Sequence, residues 1–325
     1  VVRRALLAVG FACTLACTPS FSDETSIVSA PRLLAVQATP AEAAQGNAFI
    51  MKALYVGPQG PADPSALDWA ICVLPKPLGD PGPINPACFV DVSPGLTALG
   101  AGGSVEGTVP AEACELFGPD SPPPQAGQPS ARPTDPDSTG GFYLPVRIKT
   151  GDGQWAVAPE RIACSPSGLT QQVFTAFVNG YHSNANPVVD SLATVGADGG
   201  ATSIAPDSPG VAPAFTVSRG ERVSLRVAWP SCPSATTPCG GAETYLYIDP
   251  STKQITTLRE SMVASWYATA GSFDVDRAGR AETDATTSVD NGWTSPASGA
   301  LVHIWLVLRD SRGGSGWESY TVVVR

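Results

Sequence analysis

The sequence predicts a mainly β protein organised as two tandem β-sandwich domains, and three observations lead there. Glycine (33) and proline (32) are abundant while charged residues make up only 15% of the chain, a composition suited to turn-rich β structure and poor in material for long amphipathic helices. A strand pattern launched from a turn glycine occurs twice: after Gly46, Phe49, Met51, Ala53 and Tyr55 share one face, and after Gly220, Val223, Leu225, Val227 and Trp229 do so at the same offsets. Each is preceded by an apolar strand-like segment, residues 33–36 and 188–192, so two domains that begin alike is the economical reading. At 325 residues each domain is large enough to bury its own core.

The first domain is expected over residues 31–181. Residues 69–74 and 142–148 read as strands, and the proline-rich stretch 117–141 reads as a mobile loop because it holds too little apolar surface to offset the entropy of ordering. From 170 to 181, Val173, Phe174, Phe177, Val178 and Tyr181 fall at helical spacing, which predicts a short helix; residues 173–178 alone would also suit a buried strand. The polar run 182–186, ending before Pro187, is the expected linker. The second domain, 187–325, carries strand candidates at 214–217, 223–229, 244–248, 254–258, 262–269, 301–308 and 319–324, separated by Pro/Gly/Ser turns.

Ahead of both domains stand Arg3 and Arg4, an apolar stretch from Ala5 to Ala12, and Cys13-Thr14-Leu15-Ala16-Cys17. A charged start, a short apolar middle and small residues before a cut are the parts of a secretory signal, and about a dozen apolar residues fall short of the roughly 20 that span a bilayer. Leu15-Ala16-Cys17 resembles the lipobox of bacterial lipoproteins, although Thr14 stands where that family usually has an aliphatic residue. The resemblance implies a signal peptide over 1–16, lipidation of Cys17 and a polar tether from 17 to 30, with Cys13 the rival site. Thr18 is not the Asp that marks inner-membrane retention in many lipoproteins, which favours the outer membrane. The expected partner is thus a membrane, reached through lipid. The formal charge of −10, two units more negative once Arg3 and Arg4 are removed, argues against nucleic acid.

Six cysteines remain: Cys72, Cys88, Cys114, Cys164, Cys232 and Cys239. An even number in an exported chain reads as a disulfide framework with fifteen possible pairings, and chain proximity favours 72 with 88 and 232 with 239, leaving 114 with 164. Zinc-type spacing is absent, and no metal or other cofactor is expected.

The closing portion of the second domain, Ser265-Trp266-Tyr267-Ala268-Thr269-Ala270-Gly271, then Trp293-Thr294-Ser295-Pro296, then residues 302–308 followed by Arg309-Asp310-Ser311-Arg312-Gly313-Gly314, resembles bacterial immunoglobulin-like and PKD-type domains. The resemblance implies a Trp packed between the sheets and an Asp-x-Arg-Gly-Gly turn joining the last two strands. It supplies a fold and no particular activity.

No catalytic constellation stands out. The two histidines, His182 and His303, have no evident partners, and Gly-x-Ser-x-Gly, His-Glu-x-x-His and Walker patterns are missing. Lys149-Thr150-Gly151 stands alone, and Asp274-Val275-Asp276 opens like a calcium loop but lacks its later ligands. The expectation is a non-enzymatic surface protein acting as a spacer or protein-binding module. The alternative is a carbohydrate-binding or adhesive protein using Trp155 and Trp317, the two tryptophans flanked by Gly and polar residues, as exposed contacts; a hydrolase of unrecognised type ranks third.

Overall fold

A computed structural model of the chain describes residues 25–77, 80–119, 136–208, 210, 213, 215–233 and 238–325. The signal segment, Cys13, Cys17, the start of the tether and most of the proline-rich loop lie outside the described residues.

The described chain is mainly β, as expected. Its first sandwich packs an outer sheet (Glu42–Ala44, Trp155–Ala163, Phe142–Lys149, Asp68–Cys72 and Leu96–Ala101, in spatial order) against an inner sheet formed by Arg32–Thr39, Ala48–Gly57, Gly60–Pro61 and Ser104–Thr108. Phe49, Met51 and Val105 from the inner sheet meet Trp69, Ile71, Leu144, Val146 and Ile148 from the outer one. The second sandwich has an inner sheet of Phe215–Val217, Ser315–Val324, Ala300–Asp310, Met262–Ala268 and Arg277–Arg280, and an outer sheet of Ala201–Ile204, Ser191–Val195, Arg222–Ala228, Ser288–Thr294 and Ser272–Phe273. Trp266 and Trp293 lie fully buried between them, matching the Trp role implied by the resemblance. A separate hairpin, Thr244–Ile248 with Ile255–Arg259, projects from this sandwich.

Both echoed strands form, and each pairs antiparallel with a strand further upstream, at or next to the apolar segment noted there: Ala48–Gly57 with Arg32–Thr39, and Arg222–Ala228 with Ser191–Val195. Gly46 and Gly220 have φ of +76° and +67°, the left-handed turn geometry that a Cβ opposes. The upstream strand of the second domain starts later than its apolar residues imply. Val188 and Val189 precede it, and the Val188 N–H is taken by the Gly240 carbonyl.

The two inner sheets are covered on both faces where they meet, although Ile50 and Leu301, 43% and 56% exposed, lie outside that cover. In Ala300–Asp310, Val302, Ile304, Leu306 and Leu308 enter the second core, while Trp305 and Val307 point the other way, against Leu34, Ala35, Leu54 and Val56 of the first sandwich. Tyr267 and Val28 complete this middle layer, so four sheets stack with three apolar layers between them. A strand buried on both faces reads as a continuous apolar run, which is how 301–308 reads.

The segment expected as a free linker is held in place. Asn184 is buried and donates from its backbone to Glu42, and the side-chain amide of Asn186 donates to the Ala38 carbonyl. The later part of the expected tether is docked as well. Ile27 bridges to Ala268, with Val28 N–H donating to the Ala268 carbonyl and Ala268 N–H to that of Ser26, both at 2.9 Å.

The helix forms at Gln171–Gly180, with Thr170 Oγ1 accepting from Val173 N–H as N-cap. The disulfides pair as chain proximity favours: Cys72–Cys88, Cys114–Cys164 and Cys232–Cys239, with Cα separations of 5.9, 5.6 and 5.7 Å.

Candidate functional site

Beside the middle apolar layer the two sandwiches meet through buried charge. Glu42 and Arg161 sit opposite each other where Glu42–Ala44 pairs parallel with Trp155–Ala163. Arg312 arrives from the second sandwich, on the turn between its last two strands. Asp310 Oδ1 shapes that turn by accepting the N–H groups of Arg312 and Gly314 at 2.8 Å. Gly313 takes φ +98°, and a Cβ on Gly314 would collide with the Asp310 carboxylate, so the Gly-Gly pair is a steric requirement.

Glu42 is the centre of the cluster. It accepts Arg161 Nε at 3.2 Å, Arg312 Nη2 at 3.1 Å, the Asn184 N–H at 3.0 Å and the Tyr181 hydroxyl at 2.6 Å. Arg312 also donates to the His182 carbonyl at 2.9 Å, faces Glu260 and Glu243 at 3.6 and 3.9 Å, and lies over the rings of Tyr181 and Tyr245. Arg161 Nη1 donates to Thr139 Oγ1 and to the Tyr143 hydroxyl, which itself donates to Asp137 at 2.5 Å. Breaking a buried pair of this kind costs about 3–5 kcal/mol, because the remaining charge is stranded away from water.

Burial acts to lower the Arg161 pKa, but Glu42, together with Tyr181, Tyr143 and Asp137, outweighs it and holds the guanidinium protonated. Burial raises the Tyr181 and Tyr143 hydroxyls, with the negative charges of Glu42 and Asp137 respectively acting in the same direction. Burial, with the Asp310 carboxylate nearby, pushes Glu260 up to about 9.

This charge cluster forms one side of a cleft of about 430 Å³ between the sandwiches. Phe142 and Ile162 line it from the first sandwich, Phe177, Val178 and Tyr181 from the helix and its cap, and Leu246, Tyr247 and Ile248 from the hairpin of the second. Helix and hairpin approach so closely that a Cβ on Gly180 would press into Leu246. Val178 is 53% exposed on this wall and no side chain of the helix is fully buried; of its apolar residues, Phe177 and Val178 line the cleft. Chemically, the cleft offers aromatic and aliphatic surface beside charges already satisfied by one another, an arrangement that can bind and orient.

The residues singled out from sequence lie elsewhere. Cys17 is outside the described residues. Trp155 and Trp317 are half-buried rather than open platforms: Arg147 and Lys149 lie 5.0 and 5.4 Å from the centroid of Trp155, and Trp317 packs against the middle layer with Lys52 Nζ 5.8 Å from its centroid. The long aliphatic stems of these cations find their best cover on an indole face, which is why flanking glycines do not expose the rings. Lys149 of Lys-Thr-Gly is paired with Asp91. Asp274 is paired with Arg222, Asp276 accepts from Thr25, and among the described residues no group of three or more His, Cys, Asp or Glu is arranged to hold a metal ion. His303 stacks on Trp305 with Nδ1 3.3 Å from Thr321 Oγ1, and burial lowers its pKa. As members of a charge cluster Glu42, Arg161 and Tyr181 went unnoticed in the sequence: nothing local marks the first two, and Tyr181 stood out only for its helical spacing. Arg312 alone had a signal, its place in the Asp-x-Arg-Gly-Gly turn.

No protein-family model matches the chain, and no curated protein does. Solved structures that align over most of it include domains 4 and 5 of the S-layer protein SbsC (11% identity, 90% of this chain and 98% of that one, TM-score 0.21). The adhesin InvE of Yersinia pseudotuberculosis also aligns (11% identity, 89% and 58%, TM-score 0.21), as does Escherichia coli alpha-2-macroglobulin activated by porcine elastase (12%, 93% and 22%, TM-score 0.21). The chain thus spans nearly all of the first but about three-fifths and one-fifth of the other two, and at these scores the likenesses carry no functional argument.

Proposed function

We propose that the chain is a lipid-anchored extracytoplasmic binding protein, non-enzymatic, whose interdomain cleft receives a segment of a protein partner. The observation that carries this reading is the cleft itself: apolar and aromatic side chains from both sandwiches face one another across about 430 Å³, beside a cluster of ion pairs that fixes the sandwiches' relative position. A largely pre-formed concave site of this size with few polar groups is the usual form of a binding pocket, and its rigidity lowers the entropy cost of association. A passive spacer would need neither the cleft nor the clamp. Three disulfides support an oxidising compartment. Leu15-Ala16-Cys17 supports the anchor, with the outer membrane favoured. No helix among the described residues is long and apolar enough to cross a membrane. The glycan alternative loses support at Trp155 and Trp317 and would rest on Tyr247 and Phe177 in the cleft.

The test is site-specific photo-crosslinking in cells, with a benzophenone amino acid at position 178 in the cleft or at position 92, which is 90% exposed and outside it. A discrete crosslinked protein from 178 and none from 92 is the expected result; no difference between the positions overturns the cleft reading. Labelling with an alkynyl palmitate checks the anchor separately: the label should be lost in Cys17→Ala and kept in Cys13→Ala.

A further inference from the structure

Strand alternation sends Arg161 and its neighbour Glu160 to opposite faces of the outer sheet. Arg161 joins the clamp, while Glu160 turns inward with Ala158 and Ile162. Glu160 is 0% exposed, and among the described residues neither of its carboxylate oxygens has a hydrogen-bond partner. Burial, with the Glu42 charge adding to it, pushes this carboxyl up to about 8. An acceptor group in such a place is costly unless something donates to it.

Glu160 lines a second cavity, of about 300 Å³, at the open side of the first sandwich. The edge strand Arg32–Thr39 and residues 156–160, the part of Trp155–Ala163 ahead of its pairing with Glu42–Ala44, form its sides, and the turn carrying Gly313 and Gly314 closes it from the second sandwich. Leu33, Val36, Met51 and Ala158 give it aliphatic walls. Its other polar groups are engaged. Arg309, the one cation of the lining, donates to the Leu34 carbonyl and to Ser265 Oγ. Asn186 bonds Ala38 and Ser315, and Asp310 is taken by its own turn and Asn184. Glu160 is the polar side chain of this lining whose acceptors are left over.

We propose that this cavity binds a small organic cation, a primary ammonium group on a short hydrocarbon body, with Glu160 accepting its N–H donors. Once ionised, above about pH 8, the unpaired Glu160 carboxylate selects positive charge, and a charge-assisted hydrogen bond in a site shielded from water is a strong one. A hard metal ion would require a shell of several oxygen ligands, and the described residues bring no three acidic, His or Cys side chains together here. The aliphatic walls instead suit a body of a few carbons, and the volume sits at the small end of ligand sites. The site is distinct from the interdomain cleft and does not depend on what occupies it.

At about pH 9, where Glu160 is ionised and the amine still protonated, the experiment titrates the purified full chain with n-butylammonium chloride, followed by calorimetry and ligand-observed NMR, with n-butanol as the uncharged counterpart and sodium, potassium and calcium chlorides as ionic controls. Saturable butylammonium binding, weakened about tenfold or more in Glu160→Gln as expected for loss of a charge-assisted hydrogen bond, is the predicted result. The butanol and salt comparisons use the native protein, so they decide the matter even if the variant folds poorly. Equal binding of n-butanol, equal saturation by a metal salt, no butylammonium binding, or unchanged affinity in folded Glu160→Gln would each overturn the proposal.

Discussion

Glu42 and Glu160 are both buried carboxylates within the first sandwich, and they are built in opposite ways. Glu42 collects two guanidinium groups, a phenol and a backbone N–H. Glu160, close enough to feel its charge, collects none. The first belongs to an interface and is satisfied from both sandwiches at once; the second faces a cavity and is left open. Full burial thus accompanies two different roles, and only the hydrogen-bond inventory tells them apart.

The largest expected effect breaks the satisfied side. Glu42→Ala strands Arg161 and Arg312 in the interface and should destabilise the protein by ~3–5 kcal/mol, read from the denaturant midpoint, with the contact between sandwiches loosening first. A change below ~1 kcal/mol would mean that Glu243 and Asp137 suffice as counter-charges.

The open side is sharpened by pH. Glu160 has an ordinary value of 4.5 raised to about 8 in the folded chain, so between these limits the folded state holds a proton that the unfolded chain has released. Its contribution therefore erodes as pH climbs from 4.5 to 8 and is flat beyond, amounting to a few kcal/mol at most. Glu160→Gln should lose that part of the slope, so its stability relative to the parent chain grows across the window. Parallel pH profiles would show that Glu160 ionises freely.

A smaller effect probes one donor. Tyr181→Phe removes the 2.6 Å bond to Glu42 while keeping the ring stacked on Phe177, and should cost ~1–2 kcal/mol with the pH profile unchanged. Smallest of all, Glu106→Gln on an exposed strand position should stay within about 0.5 kcal/mol, setting the baseline for an ordinary surface carboxylate.

Much of this fold was legible in the sequence because period-two alternation is local. The strands after Gly46 and Gly220, the helix at 171–180 and the Asp310 turn are each encoded within about ten residues. Leu96–Ala101 and Ser104–Thr108 escaped because their glycines and small residues bury little, and Glu42–Ala44 is too short to show a period. The continuous apolar run at 301–308 was visible as a strand, but its message, a sheet covered on both faces, needs a second sandwich to be understood. The candidate sites were nearly invisible for a related reason. Residues 42, 161 and 312 are joined only by the fold, and the polarity of 182–186 looks the same whether it meets water or buried carboxylates.

The docking of Ser26–Val28 on Ala268 has a mechanical consequence. Were lipid carried on Cys17, the nine residue steps to Ser26, at roughly 3.5 Å each, would reach at most ~32 Å from this attachment. Tension from the membrane would then meet this seam on the second sandwich before it reached Arg32–Thr39, the opening strand of the first, four residues further along the chain.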